Sequence, residues 1–282
     1  MIAITGATGQ LGQHVIENLL KTVPASQIVA IVRNPAKATA LSQQGITVRQ
    51  ADYRDETTFT QALQGVDKLL LISSSEVGQR AAQHRNVINA AKAAKVKFIA
   101  YTSLLHADRS PLGLHVEHVE TEKMLADSGI AHALLRNGWY TENYLASVPP
   151  ALEHGVFIGA AGEGKIASAT RADYAAAAAQ VISTEGHAGN VYELAGDESW
   201  TLSQLAAELS KQSGKQVVYQ NLSEADFAAA LKGAGLPAGL ADMLADSDTG
   251  ASKGGLFDDS HTLSKLIGRP TTPLAESIKG IL

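Results

Sequence analysis

The residues with the clearest chemical meaning stand at the start of the chain, Gly6-Ala7-Thr8-Gly9-Gln10-Leu11-Gly12. Glycine at every third position meets three steric demands. Gly6 permits a tight turn, Gly9 lets backbone approach a pyrophosphate, and Gly12 lets a helix pack closely. A helix opening inside such a loop offers unpaired N–H groups and partial positive charge to phosphate oxygens. The loop follows a short apolar run and opens an amphipathic one, the context the motif needs. The second informative place is Val32-Arg33-Asn34. A site for NAD usually carries an acid there to hold the ribose hydroxyls. Arg33 instead fits a 2′-phosphate, with no carboxylate competing beside it, and Lys37 adds charge. NADPH is therefore the expected cofactor. The third place is Trp139, Tyr140 and Asn143. The aromatic faces suit a flat ring, and a neutral amide suits a carbonyl that gathers negative charge, so Asn143 is the candidate catalytic residue.

These groups need a sheet to position them. Predicted strands are Met1–Thr5, Ile28–Val32, Ile46–Gln50, Lys68–Ser73, Lys97–Thr102 and His132–Arg136. Helical patterns lie between them at Gln10–Lys21, Pro35–Gln44, Glu56–Gln64, Val77–Ala94 and His115–Ser128. Leu11, Val15 and Leu19, with Ile16 and Leu20 beside them, make one apolar helix face. Asn34 before Pro35, and Asp55 before Glu56, read as N-caps. Runs such as Ile28-Val29-Ala30-Ile31-Val32 suit strands buried on both faces. The alternation predicts an α/β fold, a Rossmann-type doubly wound parallel sheet. After Gly138 the rhythm changes. Helices are expected at Tyr140–His154, Arg171–Glu185, Leu202–Ser213, Glu224–Lys232 and Pro237–Asp246, and strands at Ile166–Ala169, Val191–Leu194 and Gln216–Asn221. Residues 1–137 are thus expected to bind the dinucleotide. Residues 138–282 are expected to complete the sheet and form a small C-terminal substrate-side lobe. Asp248–Gly255 reads as a flexible loop, with Lys253-Gly254-Gly255 a candidate lid.

Composition narrows the chemistry. The chain has 282 residues, 45% hydrophobic and 18% charged, which suits a folded α/β protein. It contains no cysteine, so disulfides, zinc–thiolate sites, iron–sulfur clusters and thiol catalysis are excluded. A net charge of -5 without a polybasic run argues against nucleic acid. No targeting or membrane-spanning stretch is visible, so the cytoplasm is the expected compartment. No Gly-x-Ser-x-Gly elbow or Walker lysine is present, which removes hydrolase and NTPase readings.

The Gly-x-x-Gly-x-x-Gly spelling resembles the NmrA-like group of atypical short-chain dehydrogenases, and the resemblance covers essentially the whole chain. Ala51-Asp52 looks like the adenine-contacting position. Ser73-Ser74-Ser75 look like the segment beside the cofactor ribose. Leu135-Arg136-Asn137-Gly138-Trp139-Tyr140-Thr141-Glu142-Asn143 looks like the segment that passes the nicotinamide toward the substrate. Ser168-Ala169-Thr170-Arg171-Ala172-Asp173-Tyr174 and Gly254-Gly255-Leu256-Phe257-Asp258-Asp259 also match. The resemblance implies an NADPH-dependent reductase with a small-molecule quinone as acceptor and without flavin; a homodimer is open. One departure bears on mechanism. Ketone-reducing relatives carry a Tyr-x-x-x-Lys pair, and none of the seven tyrosines here has Lys four places on. The corresponding helix reads His115-Val116-Glu117-His118-Val119-Glu120-Thr121-Glu122-Lys123. Two readings stay open: quinone reduction without a dedicated tyrosine acid, or a redox-sensing regulator that binds NADP(H) without turnover. Ser103 stands where the family has its catalytic serine, as a donor near the nicotinamide or a strand-end cap. His115, His118 and Glu122 share a helix face and form a weak metal-ligand candidate.

Overall fold

The computed structural model describes residues 1–282. The chain opens with β1 (Ile2–Ile4), α1 (Gln10–Leu19), β2 (Ile28–Val32), α2 (Thr39–Gln43), β3 (Thr47–Gln50), α3 (Glu56–Ala62), β4 (Lys68–Leu71), α4 (Arg80–Ala93), β5 (Phe98–Leu104), α5 (His115–Ser128) and β6 (Ala131–Asn137). It continues through α6 (Thr141–Leu145), α7 (Val148–His154), β7 (Val156–Gly159), α8 (Arg171–Ser183), β8 (Val191–Leu194), α9 (Leu202–Ser213), β9 (Val218–Asn221), α10 (Glu224–Gly233), α11 (Ala238–Ser252), α12 (Thr262–Ile267) and α13 (Leu274–Lys279). Two compact units result. One comprises Met1–Leu104, Val116–Asn137 and Arg171–Tyr192; the other comprises Leu105–His115, Gly138–Thr170 and Glu193–Leu282.

The strand order in the seven-stranded sheet is β3-β2-β1-β4-β5-β6-β8. The pairs from β3 through β6 are parallel. Ile2 stands opposite both Ile28 and Lys68, so β1 is the strand from which the order runs both ways. That reversal between β1 and β4 is the topological switch point of a doubly wound sheet, the place where such folds bind ligands. All of β2 and β5 is buried, and Val29, Ile31, Leu69, Leu71, Ile99 and Tyr101 join one core cluster. This is why their sequences lack polar alternation. The Asn34 side chain accepts from the Ala36 amide at 3.0 Å and Asp55 from the Thr57 amide at 2.9 Å, as the cap reading requires.

The other unit holds a two-stranded parallel sheet of β7 and β9, with Val156 opposite Val218. Here several expectations fail, each for a local reason. The helix expected over Tyr140–His154 is two, α6 and α7. Pro149 has no N–H to give, and its ring opposes the carbonyl four residues back, at Leu145, where α6 stops. Ile166–Ala169 is no strand, because its amides go to separate partners: Ile166 to Trp200 O at 2.8 Å, Ala167 to Leu256 O at 2.9 Å and Ala169 to Trp139 O at 3.3 Å. β7 has no counterpart among the expected strands; it is four residues long and starts directly after Gly155, the left-handed cap of α7 at φ 71. Asp248–Ser252 is helix rather than flexible loop. Its glycines serve close approach: a Cβ on Gly250 or Gly255 would stand 2.6 Å from Leu112 Cδ1. The Gly254 and Gly255 amides close α11 onto Ala251 O and Gly250 O at 2.9 and 3.0 Å, so the lid candidate is a packed helix cap.

Candidate functional site

The glycine turn lies at the switch point. Thr5 fixes the end of β1: its amide donates to Leu70 O at 3.1 Å, and its hydroxyl accepts from the Ile72 amide at 2.9 Å. Gly6 then turns with φ +59, a conformation glycine adopts without strain. The Gly9 amide donates back to Gly6 O at 2.9 Å. A Cβ on Gly12 would overlap the Gly6 carbonyl oxygen and stand 2.9 Å from Ala7 Cα. So Gly12 is required for packing of α1 on the loop itself. At the mouth of α1, Gly9 is the N-cap and no side chain caps the helix. The first intrahelical amide is that of Gln13, bonded to Gly9 O at 3.0 Å. The amides of Gln10, Leu11 and Gly12 precede it and have no intrahelical acceptor. Thr8 supplies its carbonyl to Gln13 Nε2 at 2.9 Å, which steadies the loop. A bare helix N-terminus beside an unhindered glycine backbone fits a pyrophosphate.

Arg33 leaves the end of β2 exposed. The expectation that no carboxylate competes with it is wrong, however: Glu76 Oε1 lies 3.3 Å from its Nη1. Arg54 Nη2 reaches the same oxygen at 3.5 Å. The two are 43 residues apart, Arg33 at the end of β2 and Glu76 after β4, so local reading could not pair them. Lys37 is exposed on the short 3-10 turn before α2. Asp52 is half-buried, and its Oδ1 accepts from the Arg54 amide at 3.0 Å.

The serine segment after β4 is held from below. The Ser73 amide donates to Thr102 Oγ1 at 2.8 Å. The Ser74 amide donates to His84 Nε2 at 3.0 Å, so Nδ1 carries the proton and donates to Thr121 Oγ1 at 2.9 Å. Burial, helped by the Arg80 charge, pushes the His84 pKa down to about 3, so this support stays neutral. Ser74 is buried and its carbonyl accepts from Arg80 Nε at 2.6 Å; Ser75 is exposed. Asn137 ends β6 buried, and its side-chain oxygen has no partner within the protein. Orphaned buried acceptors are rare and fit a donor group of a ligand.

In the second unit, the segment from Gly138 is anchored by its backbone. The Gly138 amide donates to Leu194 O at 2.7 Å and the Thr141 amide to Ala169 O at 2.9 Å. The Thr141 hydroxyl pairs with Ser168 Oγ at 2.8 Å. Trp139, Tyr140, Glu142 and Asn143 are half-buried, and Asn143 sits in the short α6.

The Ser103 hydroxyl donates to Glu122 Oε1 at 2.6 Å, and Arg136 clamps that carboxylate through Nε at 2.9 Å and Nη2 at 2.7 Å. The structure therefore gives Ser103 a structural partner. The metal-ligand candidate fails too. His118 Nδ1 meets Tyr101 OH at 2.8 Å, His115 Nδ1 faces Ala107 O at 3.2 Å, and Glu122 is spent on Ser103 and Arg136. No such group of side chains is placed to hold an ion.

A glycine-turned helix mouth at the switch point of a parallel sheet defines a dinucleotide-binding Rossmann-type protein. The NmrA-like family profile matches residues 1–274, so the chain belongs to the NmrA-like family. It is 84% identical over 278 residues to quinone oxidoreductase 2 of Escherichia coli, covering 99% of this chain and 97% of that one. An NADPH-dependent quinone oxidoreductase from E. coli, solved with NADPH, superposes with TM-score 0.98 at 83% identity, covering 100% of this chain and 99% of that one. The Citrobacter triphenylmethane reductase solved with NADP(H) follows at TM-score 0.94 and 42% identity, with both chains covered in full at 100%.

Proposed function

We propose that this protein is an NADPH-dependent oxidoreductase that reduces a quinone by direct hydride transfer. The observation that carries the reading is the full-length identity of 84% with the E. coli quinone oxidoreductase. The glycine cradle supplies its physical basis. NADPH, when bound, supplies the hydride. Residues 1–137 are assigned the dinucleotide: the amides of Gln10, Leu11 and Gly12 take the pyrophosphate, with Gly6, Thr8 and Gly9 shaping the approach. Arg33 takes the 2′-phosphate, Asp52 the adenine edge, and Ser73, Ser74 and Ser75 the ribose side. Asn137 offers its unpartnered oxygen to a donor on the nicotinamide side. Gly138, Trp139, Tyr140, Thr141 and Glu142, which follow it in sequence, are assigned to the cofactor as well, and the acceptor is assigned to the part of the chain after them. A ketone needs a proton donor matched to an alkoxide, and the chain lacks the Tyr-x-x-x-Lys pair that supplies one. A quinone delocalises the incoming negative charge, so a neutral hydrogen-bond donor is enough. Asn143 is that donor. The partner is a small molecule rather than nucleic acid, and the compartment is the cytoplasm; no helix is long and apolar enough to cross a membrane. The test is flavin-free protein mixed with NADPH and a benzoquinone, followed at the reduced-nicotinamide band. Quinone-dependent loss of that band supports the reading. Tight NADPH binding with no oxidation overturns it in favour of a sensor.

A further inference from the structure

The loop after β4 sends one carboxylate to the end of β2. Glu76 Oε2 accepts from Gln83 Nε2 at 2.8 Å, and Gln83 is itself only 3% exposed. The Glu76 amide donates to Ser74 Oγ at 3.1 Å. The carboxylate is thus anchored from behind and presents Oε1 to two guanidiniums, Arg33 at 3.3 Å and Arg54 at 3.5 Å. Both arginine side chains are more than half exposed, at 62% and 63%. Arg54 Nε also faces Asp52 Oδ1 at 3.6 Å. Exposed ion pairs like these are weak and exchange readily. A phosphate monoester carries more charge and more acceptor oxygens than a carboxylate, and it accepts from a guanidinium fork in bidentate fashion.

We propose that Glu76 is a built-in competitor for the cofactor's 2′-phosphate, and that Arg54 is the second arm of the site it guards. The inference rests on the NADPH reading above. Without dinucleotide, Oε1 draws Arg33 and Arg54 toward one point. NADPH must take both guanidiniums from it, whereas NADH, with no 2′-phosphate, makes no such demand. Because Gln83 holds Oε2, the displaced carboxylate cannot swing far, and its charge stays close enough to repel the phosphate. Glu76 therefore weakens NADPH binding and narrows the preference for NADPH over NADH.

The test compares wild type, Glu76→Gln and Arg54→Gln by calorimetry with NADPH, NADH, adenosine 2′-monophosphate and adenosine 5′-monophosphate. Gln at position 76 keeps an acceptor for Gln83 and loses only the charge. Glu76→Gln is expected to tighten NADPH and the 2′-monophosphate about 5- to 20-fold, with NADH unchanged within about twofold. Arg54→Gln is expected to weaken the same two ligands about tenfold. The gain from Glu76→Gln should shrink as salt is raised. If wild type prefers NADPH but Glu76→Gln leaves the NADPH-to-NADH ratio of Kd unchanged, the competitor role is overturned while the cofactor reading stands. Equal loss of NADPH and NADH binding in Glu76→Gln makes Glu76 a loop anchor and also overturns it. Wild type that binds neither dinucleotide, or prefers NADH, overturns both.

Discussion

Gly12→Ala tests the glycine-loop geometry proposed to carry dinucleotide binding. In most helices this change is favourable, because alanine exceeds glycine in helix propensity by about 1 kcal/mol. Here the new methyl would overlap the Gly6 carbonyl oxygen and come within 2.9 Å of Ala7 Cα. Both neighbours are backbone of the turn, so neither can rotate away. α1 must lift off the loop, and forcing a carbon into a packed site costs about 1–3 kcal/mol. The propensity gain offsets only part of that, so a net loss of about 0–2 kcal/mol in stability is expected. The larger effect falls on ligand binding. Displacing α1 carries the Gln10, Leu11 and Gly12 amides away from Gly9, and NADPH affinity should fall by about a hundredfold, which is about 2.7 kcal/mol. Gly239 is the internal control: it lies in α11, and a Cβ there meets nothing within 4 Å. Gly239→Ala should therefore stabilise by up to about 1 kcal/mol and leave binding untouched. Urea titration reads the stabilities and calorimetry reads the affinities. A Gly12→Ala variant that binds NADPH like wild type would refute the reasoning, since the steric premise would then be wrong.

Three further outcomes follow from the same geometry. Arg33→Ala should weaken NADPH by about ten- to a hundredfold while sparing NADH, and should barely change stability because its ion pair is exposed; an unchanged ratio of the two Kd values would remove Arg33 from the 2′-phosphate site. Asn143→Ala should lower quinone turnover by about tenfold, less than the 10²–10³ of a full oxyanion donor, with NADPH Kd unchanged; stopped-flow and equilibrium titration separate the two. Burial raises the Asp248 pKa from 3.8 to about 6, against the Ala160 amide that donates to it. The native state therefore holds a proton there that the unfolded chain has released, and stability should fall as pH rises from about 4 to 6, by about 3 kcal/mol in all. Asp248→Asn keeps an acceptor for Ala160 and should flatten that slope in urea titrations at stepped pH; an unaltered slope would mean that another group is responsible.

The parts of the fold legible in sequence were those whose physics is local. β2 is an unbroken apolar pentad, Asn34 and Asp55 cap their own next turns, and Gly6, Gly9 and Gly12 act within one loop. What escaped was set by distant partners. Gly250 and Gly255 look like flexibility in sequence, yet each is small because Leu112 lies against it. Ile166–Ala169 has strand composition, but Trp200, Leu256 and Trp139 divide its hydrogen bonds. Arg33 stands out as a candidate from its place after β2, whereas its ion pair with Glu76 gave no signal, since nothing in Ser75-Glu76-Val77 points across the sheet. A charge after β4 gains meaning only when the strand order places β4 beside β1 and β1 beside β2.

The same distance effect explains why the missing tyrosine–lysine pair constrains the acceptor. α5 is the helix that would carry it, and each side chain it turns toward the sheet is already committed. His118 bonds Tyr101 at 2.8 Å, and burial with the nearby Arg80 charge pushes its pKa down to about 3, so at neutral pH it has no acidic proton to give. Thr121 accepts from His84 and donates to the Glu117 carbonyl at 2.8 Å. Glu122 is clamped by Arg136 and accepts a hydrogen bond from the Ser103 hydroxyl. The Tyr101 hydroxyl is buried and its pKa is raised by desolvation, which makes it a poorer acid still. Lys123, one place on, points to solvent. Helix α5 thus replaces a proton-delivery device with a closed network that braces β5 and β6. A substrate whose reduction generates an alkoxide gains no proton donor from this helix. One whose product spreads its charge over an aromatic ring has less need of that donor, and a quinone is of that kind.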